Sequence, residues 1–260
     1  MAESEFLEIN GLTKYFDGLK ALEKIDLSIE KGKVFALIGP NGAGKTTFFN
    51  CISGINRPTS GNVRFRRHDI SRLKPHQISR RGMARTFQNI RLFSEMTVLE
   101  NVITGRYIKS ALPVSKNFVG ALLRNGGFRA RTLEIRKAAL ELIDFVGLTA
   151  QRTLLARNLS YGDQRRLEIA RALASEPALL LLDEPAAGMN PQETGELMDL
   201  IGKIRNQGVT PFMIEHNMQM VMGISDHIVV LDHGIKISEG SAEAVQTDPR
   251  VIEAYLGGNP

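Results

Sequence analysis

The chain has 260 residues, 43% hydrophobic and 23% charged, with a net charge of +5 and a single cysteine. That is enough for one large α/β core, alone or with a smaller subdomain, and the composition is that of an ordinary globular protein. One cysteine excludes an internal disulfide and suits a reducing cytoplasm. The apolar run Ala178–Leu182 falls far short of the ~18 residues of a membrane helix. The acidic start Met1–Glu5 lacks the basic-then-apolar plan of a secretory signal, so neither a transmembrane segment nor a signal peptide is expected. Basic residues gather at Arg64, Arg66, Arg67, Arg72, Lys74, Arg80, Arg81 and Arg85, and again at Arg124, Arg129, Arg131, Arg136 and Lys137. Such clusters suit nucleic acid or an anionic membrane surface, but for any single arginine the reading is a solvated face. No aromatic-interleaved motif or zinc-ligand spacing accompanies them, so nucleic acid is not an expected partner.

In chain order, Phe6–Leu12 and Lys24–Glu30 read as strands. In the second, Ile25, Leu27 and Ile29 alternate with Asp26, Ser28 and Glu30, the period of a sheet wet on one face. Lys14–Gly18 between them reads as a turn whose Tyr15 or Phe16 either stacks on a purine or packs in the core. Lys33–Ile38 is a short buried strand, and Thr47–Ile52 an apolar helix in which Cys51 packs as a small apolar residue. Between them runs Gly39-Pro40-Asn41-Gly42-Ala43-Gly44-Lys45-Thr46-Thr47, a glycine-rich loop in the strand-loop-helix setting of a phosphate cradle. Gly39, Gly42 and Gly44 lack a Cβ and can turn successive N–H groups toward phosphate oxygens. Lys45 adds a positive charge for the β- and γ-phosphates, and the Thr46 hydroxyl is placed to ligate Mg²⁺. The helix starting at Lys45 points its positive end at the same anion. The expected ATP-binding stretch is thus Gly39, Asn41, Gly42, Ala43, Gly44, Lys45, Thr46 and Thr47.

Beyond the loop, Pro58–Gly61 reads as a turn, Asn62–Phe65 as a strand, Pro75–Arg80 as a helix and Met83–Phe87 as a strand. Gln88 comes directly after that strand; its amide either reaches Mg²⁺ or an attacking water, or belongs to a surface loop. From Thr97 to Leu148 the pattern is helical, with Leu133, Leu140, Ile143 and Val146 at spacings of seven and three and breaks at Pro113 and Asn125-Gly126-Gly127. This predicts an inserted helical subdomain. Ser160 is an N-cap for the next helix, whose N–H groups at Tyr161 and Gly162 are expected to face outward as a second anion site. Ala178–Leu182 reads as a central parallel strand buried on both faces, with Asp183 and Glu184 at its C-terminal end, the edge where ligands sit in open α/β sheets. Asp183 would hold Mg²⁺ through its water shell, and Glu184 would polarise a water for attack on the γ-phosphate. Thr210–Ile214 is another buried strand, followed by His216, which either contacts the γ-phosphate or is structural. Met213, Met218, Met220 and Met222 read as core filler. A hairpin of Asp226–Leu231 with Gly234–Glu239 and two short helices, Ala242–Gln246 and Pro249–Leu256, finish the chain.

This ordered set resembles the nucleotide-binding subunit of ABC transporters over residues 6–240: an aromatic near Phe16, Walker A at Gly39–Thr46, Gln88, the signature at Leu159–Asp163, Walker B at Leu179–Asp183, then Glu184 and His216. The resemblance implies an α/β fold with a P-loop NTPase core of mostly parallel sheet, an N-terminal antiparallel β region and an inserted helical subdomain. The expected spans are 1–88, 89–160, 161–240 and 241–260. Thr86–Asn89, Met96–Val102, Glu184–Pro191, Ile214–Met218 and Asp248 to Gly257 look like branched-chain amino acid importers, and Gly105–Arg131 looks like the longer of that system's two ATPase subunits. The same resemblance implies ATP with Mg²⁺, a partner ATPase, two membrane permeases, a periplasmic binding protein for leucine, isoleucine and valine, and a place on the cytoplasmic side of the inner membrane. It also implies that Ser160 and Gly162 serve the nucleotide of the opposite subunit, in a sandwich dimer. The alternatives are a urea or lipid (lipopolysaccharide) transport ATPase and, more remotely, a soluble ABC ATPase acting on nucleic acid or ribosomes; the latter usually carry a second ATPase module or a long coiled coil, and neither is present. Three residues depart from the family pattern, Tyr161, Asp163 and Asn190. The signature reads Leu159-Ser160-Tyr161-Gly162-Asp163, which sets a carboxylate near a phosphate unless Arg165, Arg166 or the helix dipole offsets it, and Asn190 stands where aspartate is usual.

Overall fold

The computed structural model describes residues 6–110 and 126–256. They form two compact units, one taking the chain up to Arg85 and again from Ala178, the other Thr86–Pro177. Strands β1 (Leu7–Phe16) and β2 (Leu19–Ile29) make an antiparallel hairpin. Its turn is only Asp17-Gly18, with φ of 44° and 93°. Asp-Gly favours a two-residue loop, so the longer turn expected at Lys14–Gly18 shrinks, and Tyr15 and Phe16 lie in the strand. β3 (Phe35–Ile38) is buried at all four positions and leads to α1 (Lys45–Ile52). α1 sets Phe48 and Phe49 edge-on against Phe212, at 6.1 and 5.0 Å. Cys51 lies in this core, where burial pushes its thiol up to about 11 and leaves it unreactive.

β4 (Ser60–Phe65) and β5 (His68–Asp69) complete an antiparallel sheet ordered β2-β1-β4-β5. Helix α2 (Pro75–Arg80) leads to β6 (Met83–Arg85). That strand stops at Arg85 rather than Phe87 because its ladder pairs only Met83, Ala84 and Arg85, with Leu179, Leu180 and Leu181. The other seven residues of the first basic cluster are exposed, as a solvated face should be, while the Arg85 side chain is buried.

The second unit is helical. α3 (Val98–Ser110) begins with a reciprocal cap: the Glu100 N–H donates to the Thr97 hydroxyl at 3.2 Å and the Thr97 N–H to the Glu100 carboxylate at 2.8 Å. α4 (Gly126–Phe145) comes next. The expected break at Pro113, together with Arg124 and Asn125, lies outside the described residues, as does most of the longer stretch ending at Arg131. Gly126 and Gly127 open α4 instead of forming a loop; extension of the helix from its packed stripe outweighs the cost of about 1 kcal/mol per glycine. The stripe is Ile135, Ala139 and Ile143, with Val146 just beyond, whereas Leu133 is 66% exposed, so the sequence pattern has the right period and the wrong phase at its start. α5 (Tyr161–Leu173) is capped by Ser160. A Cβ on Gly105 would meet the Arg171 carbonyl oxygen at 2.1 Å, so α3 and α5 touch backbone to backbone. α5 accordingly groups with the helical unit, while the sequence division at 160/161 places it in the core.

In the first unit, β7 (Leu179–Asp183) and β8 (Thr210–Ile214) flank α6 (Pro191–Asn206) in the chain and are buried at every position. α7 (Met218–Ile224) precedes the hairpin of β9 (His227–Asp232) and β10 (Ile235–Gly240), and α8 (Ala242–Gln246) and α9 (Pro249–Leu256) close the chain. Met213 and Met220 fill the core, while Met218 and Met222 are only partly buried. The second sheet runs β10-β9-β3-β8-β7-β6, parallel except for β10. Its parallel strands β3, β7 and β8 therefore end beside one another, delivering Gly39, Asp183-Glu184 and Glu215-His216 to one edge. Among the described residues no helix is long and apolar enough to cross a membrane.

Candidate active site

The loop after β3 requires its glycines for different reasons. At Gly39, φ is 150° and a Cβ would lie 2.0 Å from the Leu231 carbonyl oxygen; at Gly44, φ is 97° and a Cβ would lie 2.6 Å from that of Ala21. Gly42 faces open space, and its φ of 84° alone selects glycine. Gly44 is the N-cap of α1, so no side chain accepts there, and the first turn holds no acidic residue. The positive end of α1 is thereby left to an outside anion. Asn41, Gly42 and Thr46 are exposed, Thr47 is half-buried and Ala43 is buried. Lys45 folds back across the loop and donates to the Gly39 and Pro40 carbonyls at 2.6 and 2.9 Å. Burial lowers its pKa from the usual lysine value, and the Glu184 carboxylate acts in the opposite direction.

Asp183 and Glu184 leave β7 in different settings. Asp183 is 4% exposed, and its Oδ2 accepts from Arg85 Nη2 at 2.6 Å. Glu184 has φ of 48°, a left-handed backbone that costs a non-glycine residue about 1–3 kcal/mol and clusters at functional sites; its N–H donates to the Ile214 carbonyl at 2.9 Å. Its Oε2 lies 3.7 Å from Nδ1 of exposed His216. Lys45, Glu184 and His216 are thus brought together. Tyr15 and Phe16 are each 40% exposed, which rules out core packing, and Lys14 Nζ stands 4.7 Å from the Phe16 ring centroid.

The other expected residues lie in the second unit. Gln88 is exposed, and its carbonyl and that of Phe87 accept from the buried Arg165 guanidinium. Ser160 is exposed and accepts from the Asp163 N–H at 3.2 Å. Tyr161 is exposed but Gly162 is buried, so only the first of these two residues lies at the surface as expected. Asp163 pairs with Arg166 at 2.8 Å. Arg165 is occupied elsewhere, by Glu168, the two carbonyls and the Tyr161 hydroxyl.

A loop shaped by Gly39 and Gly44 beside a helix N-terminus suits a chain of phosphates. A hydroxyl at Thr46 and a carboxylate at Asp183 are hard oxygen donors suited to Mg²⁺, which keeps waters and substrate phosphates in its shell. No group of three or more His, Cys, Asp or Glu able to hold a metal occurs among the described residues.

A family model described as ABC transporter matches residues 22–187. The chain belongs to the ABC transporter family. A second model, described as branched-chain amino acid ATP-binding cassette transporter, matches residues 236–259 of this ABC ATPase. It is 45% identical over 252 residues to the Pseudomonas aeruginosa high-affinity branched-chain amino acid transport ATP-binding protein BraF, covering 96% of this chain and 97% of that one. To LivG of Escherichia coli K12, a protein of the same description, it is 44% identical over the same shares. Among solved structures, a nucleotide-free ATP-binding cassette of an ABC transporter superposes with a TM-score of 0.83 at 32% identity, covering 97% of this chain and 99% of that one. A dimeric cassette in a post-hydrolysis state, bound to ADP and Pi, does so at 0.75 and 26% identity, over 91% and 98%.

Sequence reasoning missed three contributors to this ABC site. Glu215, 1% exposed, accepts from the Ala186, His216 and Asn217 N–H groups at 2.7, 3.0 and 3.3 Å, tying the segment after Glu184 to the turn that carries His216. Arg85 holds Asp183. Tyr255, on α9, is hydrogen-bonded to the Gly39 backbone, and burial pushes its hydroxyl up to about 12. For Glu215 a signal existed, a charged residue at the C-terminal end of a buried strand; for Arg85 and Tyr255 there was none.

Proposed function

We propose that the protein is the ATP-hydrolysing subunit of an importer of branched-chain amino acids, working on the cytoplasmic side of the inner membrane with a second ATPase subunit, two permeases and a substrate-binding protein. The observation that carries the substrate is the match of residues 236–259 to the branched-chain amino acid cassette model, which full-length relatives of that description support.

In this reading the loop N–H groups from Gly39 to Thr47 bind the phosphates, and Lys45 releases the Gly39 and Pro40 carbonyls to pair with the β- and γ-phosphates. Thr46 and Asp183 would hold Mg²⁺, which would supply neutralisation of developing phosphate charge. Glu184 accepts the proton of the attacking water, and His216, kept at the sheet edge by Glu215, donates to the γ-phosphate. Gln88 contacts the metal or the water, and Phe16 stacks on the adenine. Ser160, exposed at the start of α5, faces the nucleotide of the opposite subunit, with Arg166 offsetting the Asp163 charge. ATP would then close the dimer, hydrolysis would open it, and the helical unit would pass the motion to a permease.

The test is uptake of labelled leucine, isoleucine and valine by a strain lacking the gene. Restoration by the wild-type chain and not by Lys45→Ala is expected; undiminished uptake in the deletion strain, with loss of uptake of another solute, would overturn the substrate assignment.

A further inference from the structure

Arg85 ends the first of the two segments that make the first unit, and is the only member of its basic cluster whose side chain is buried, at 7% exposure. Burying a guanidinium is costly unless it is paired and hydrogen-bonded, and this one is. Nη2 donates to Asp183 Oδ2 at 2.6 Å, and Nη1 donates to Asn50 Oδ1 at 2.8 Å and to the Ser53 hydroxyl at 2.9 Å. The Phe49 ring lies 5.6 Å from its central carbon. Asn50 is in α1 and Ser53 is its C-cap, while Asp183 closes β7. One planar fork therefore fixes the Asp183 carboxylate to the helix that begins with Lys45 and Thr46.

We infer that Arg85 is a positioning residue: it orients Asp183 as a magnesium ligand relative to Thr46, and does so through α1. The inference rests on the reading of Asp183 and Thr46 as the metal-holding pair. Only arginine does this at three acceptors, because lysine offers a point charge without the fork. The arrangement also has a built-in opposition. A cation beside the carboxylate weakens its pull on Mg²⁺, so Arg85 helps the metal only if orientation outweighs charge. Partners that orient metal ligands typically contribute about 10- to 100-fold in metal affinity, which places orientation ahead here.

The experiment uses the full chain with Arg85→Gln and Arg85→Lys. Three quantities are measured: thermal unfolding, binding of a fluorescent ATP analogue in EDTA, and Mn²⁺ binding with nucleotide present, monitored by electron paramagnetic resonance. The expected result is analogue binding in EDTA within about twofold of wild type and Mn²⁺ affinity lowered by about tenfold or more in Arg85→Gln, with Arg85→Lys between the two. Arg85→Lys keeps the buried positive charge and carries the test if Arg85→Gln fails to fold. Unchanged or tighter Mn²⁺ binding in a folded variant would overturn the inference, even with a lowered melting temperature, because that pattern is a structural role alone. Asp183→Asn separates this inference from the site reading: if it too leaves Mn²⁺ binding unchanged, Asp183 is not a metal ligand.

Discussion

Lys45 is hydrogen-bonded to two carbonyls of its own loop, so the cradle is preformed and its cation is held ready. Lys45→Ala should lower ATP affinity by about tenfold or more, since a charged hydrogen-bond donor to phosphate is lost; titration with a fluorescent nucleotide reads it, and wild-type affinity would contradict the cradle. Gly39→Ala adds a Cβ 2.0 Å from a backbone oxygen, and should destabilise by more than about 1 kcal/mol in denaturant unfolding. The placement of individual residues was legible where a local pattern marks it. Asp183, Glu184 and His216 each come after a buried apolar strand, and Lys45 closes a glycine-rich loop. Arg85 was not legible, because what distinguishes it from seven neighbouring basic residues is burial against an aspartate 98 residues away. Nothing local in a sequence marks such a pairing.

At the level of elements, the parallel strands were readable from their unbroken apolar runs, and the β1–β2 turn was not, because Lys14–Phe16 mixes polar and aromatic residues as loops do. Helix periodicity found α4, but Leu133 fits the spacing and not the buried face. Asn190 departs from the family's aspartate yet keeps a reciprocal cap with Glu193 on α6. Asn190→Ala should therefore cost about 1 kcal/mol, measured by chemical unfolding, while Asn190→Asp should be near neutral. Glu215 links the ends of two strands through three N–H groups. Glu215→Ala leaves buried donors unsatisfied and should cost about 2–4 kcal/mol with lowered ATP turnover; an unchanged unfolding midpoint would show that the tie between the two loops carries nothing.

On the scale of the whole molecule, one chain holds a preformed phosphate loop and carboxylate edge in one unit and the capped Ser160 helix in another. We assign these two halves to different nucleotides, so hydrolysis belongs to a dimer closed on ATP. Glu184, held in a left-handed backbone beside His216, is the base we propose for that reaction, and on this the mechanism turns. The most direct measurement is ATP turnover by Glu184→Gln assembled with its wild-type partner ATPase. A stable ATP-bound dimer is predicted, with turnover reduced by about 100-fold or more. Turnover equal to wild type, with no trapped dimer, would contradict it.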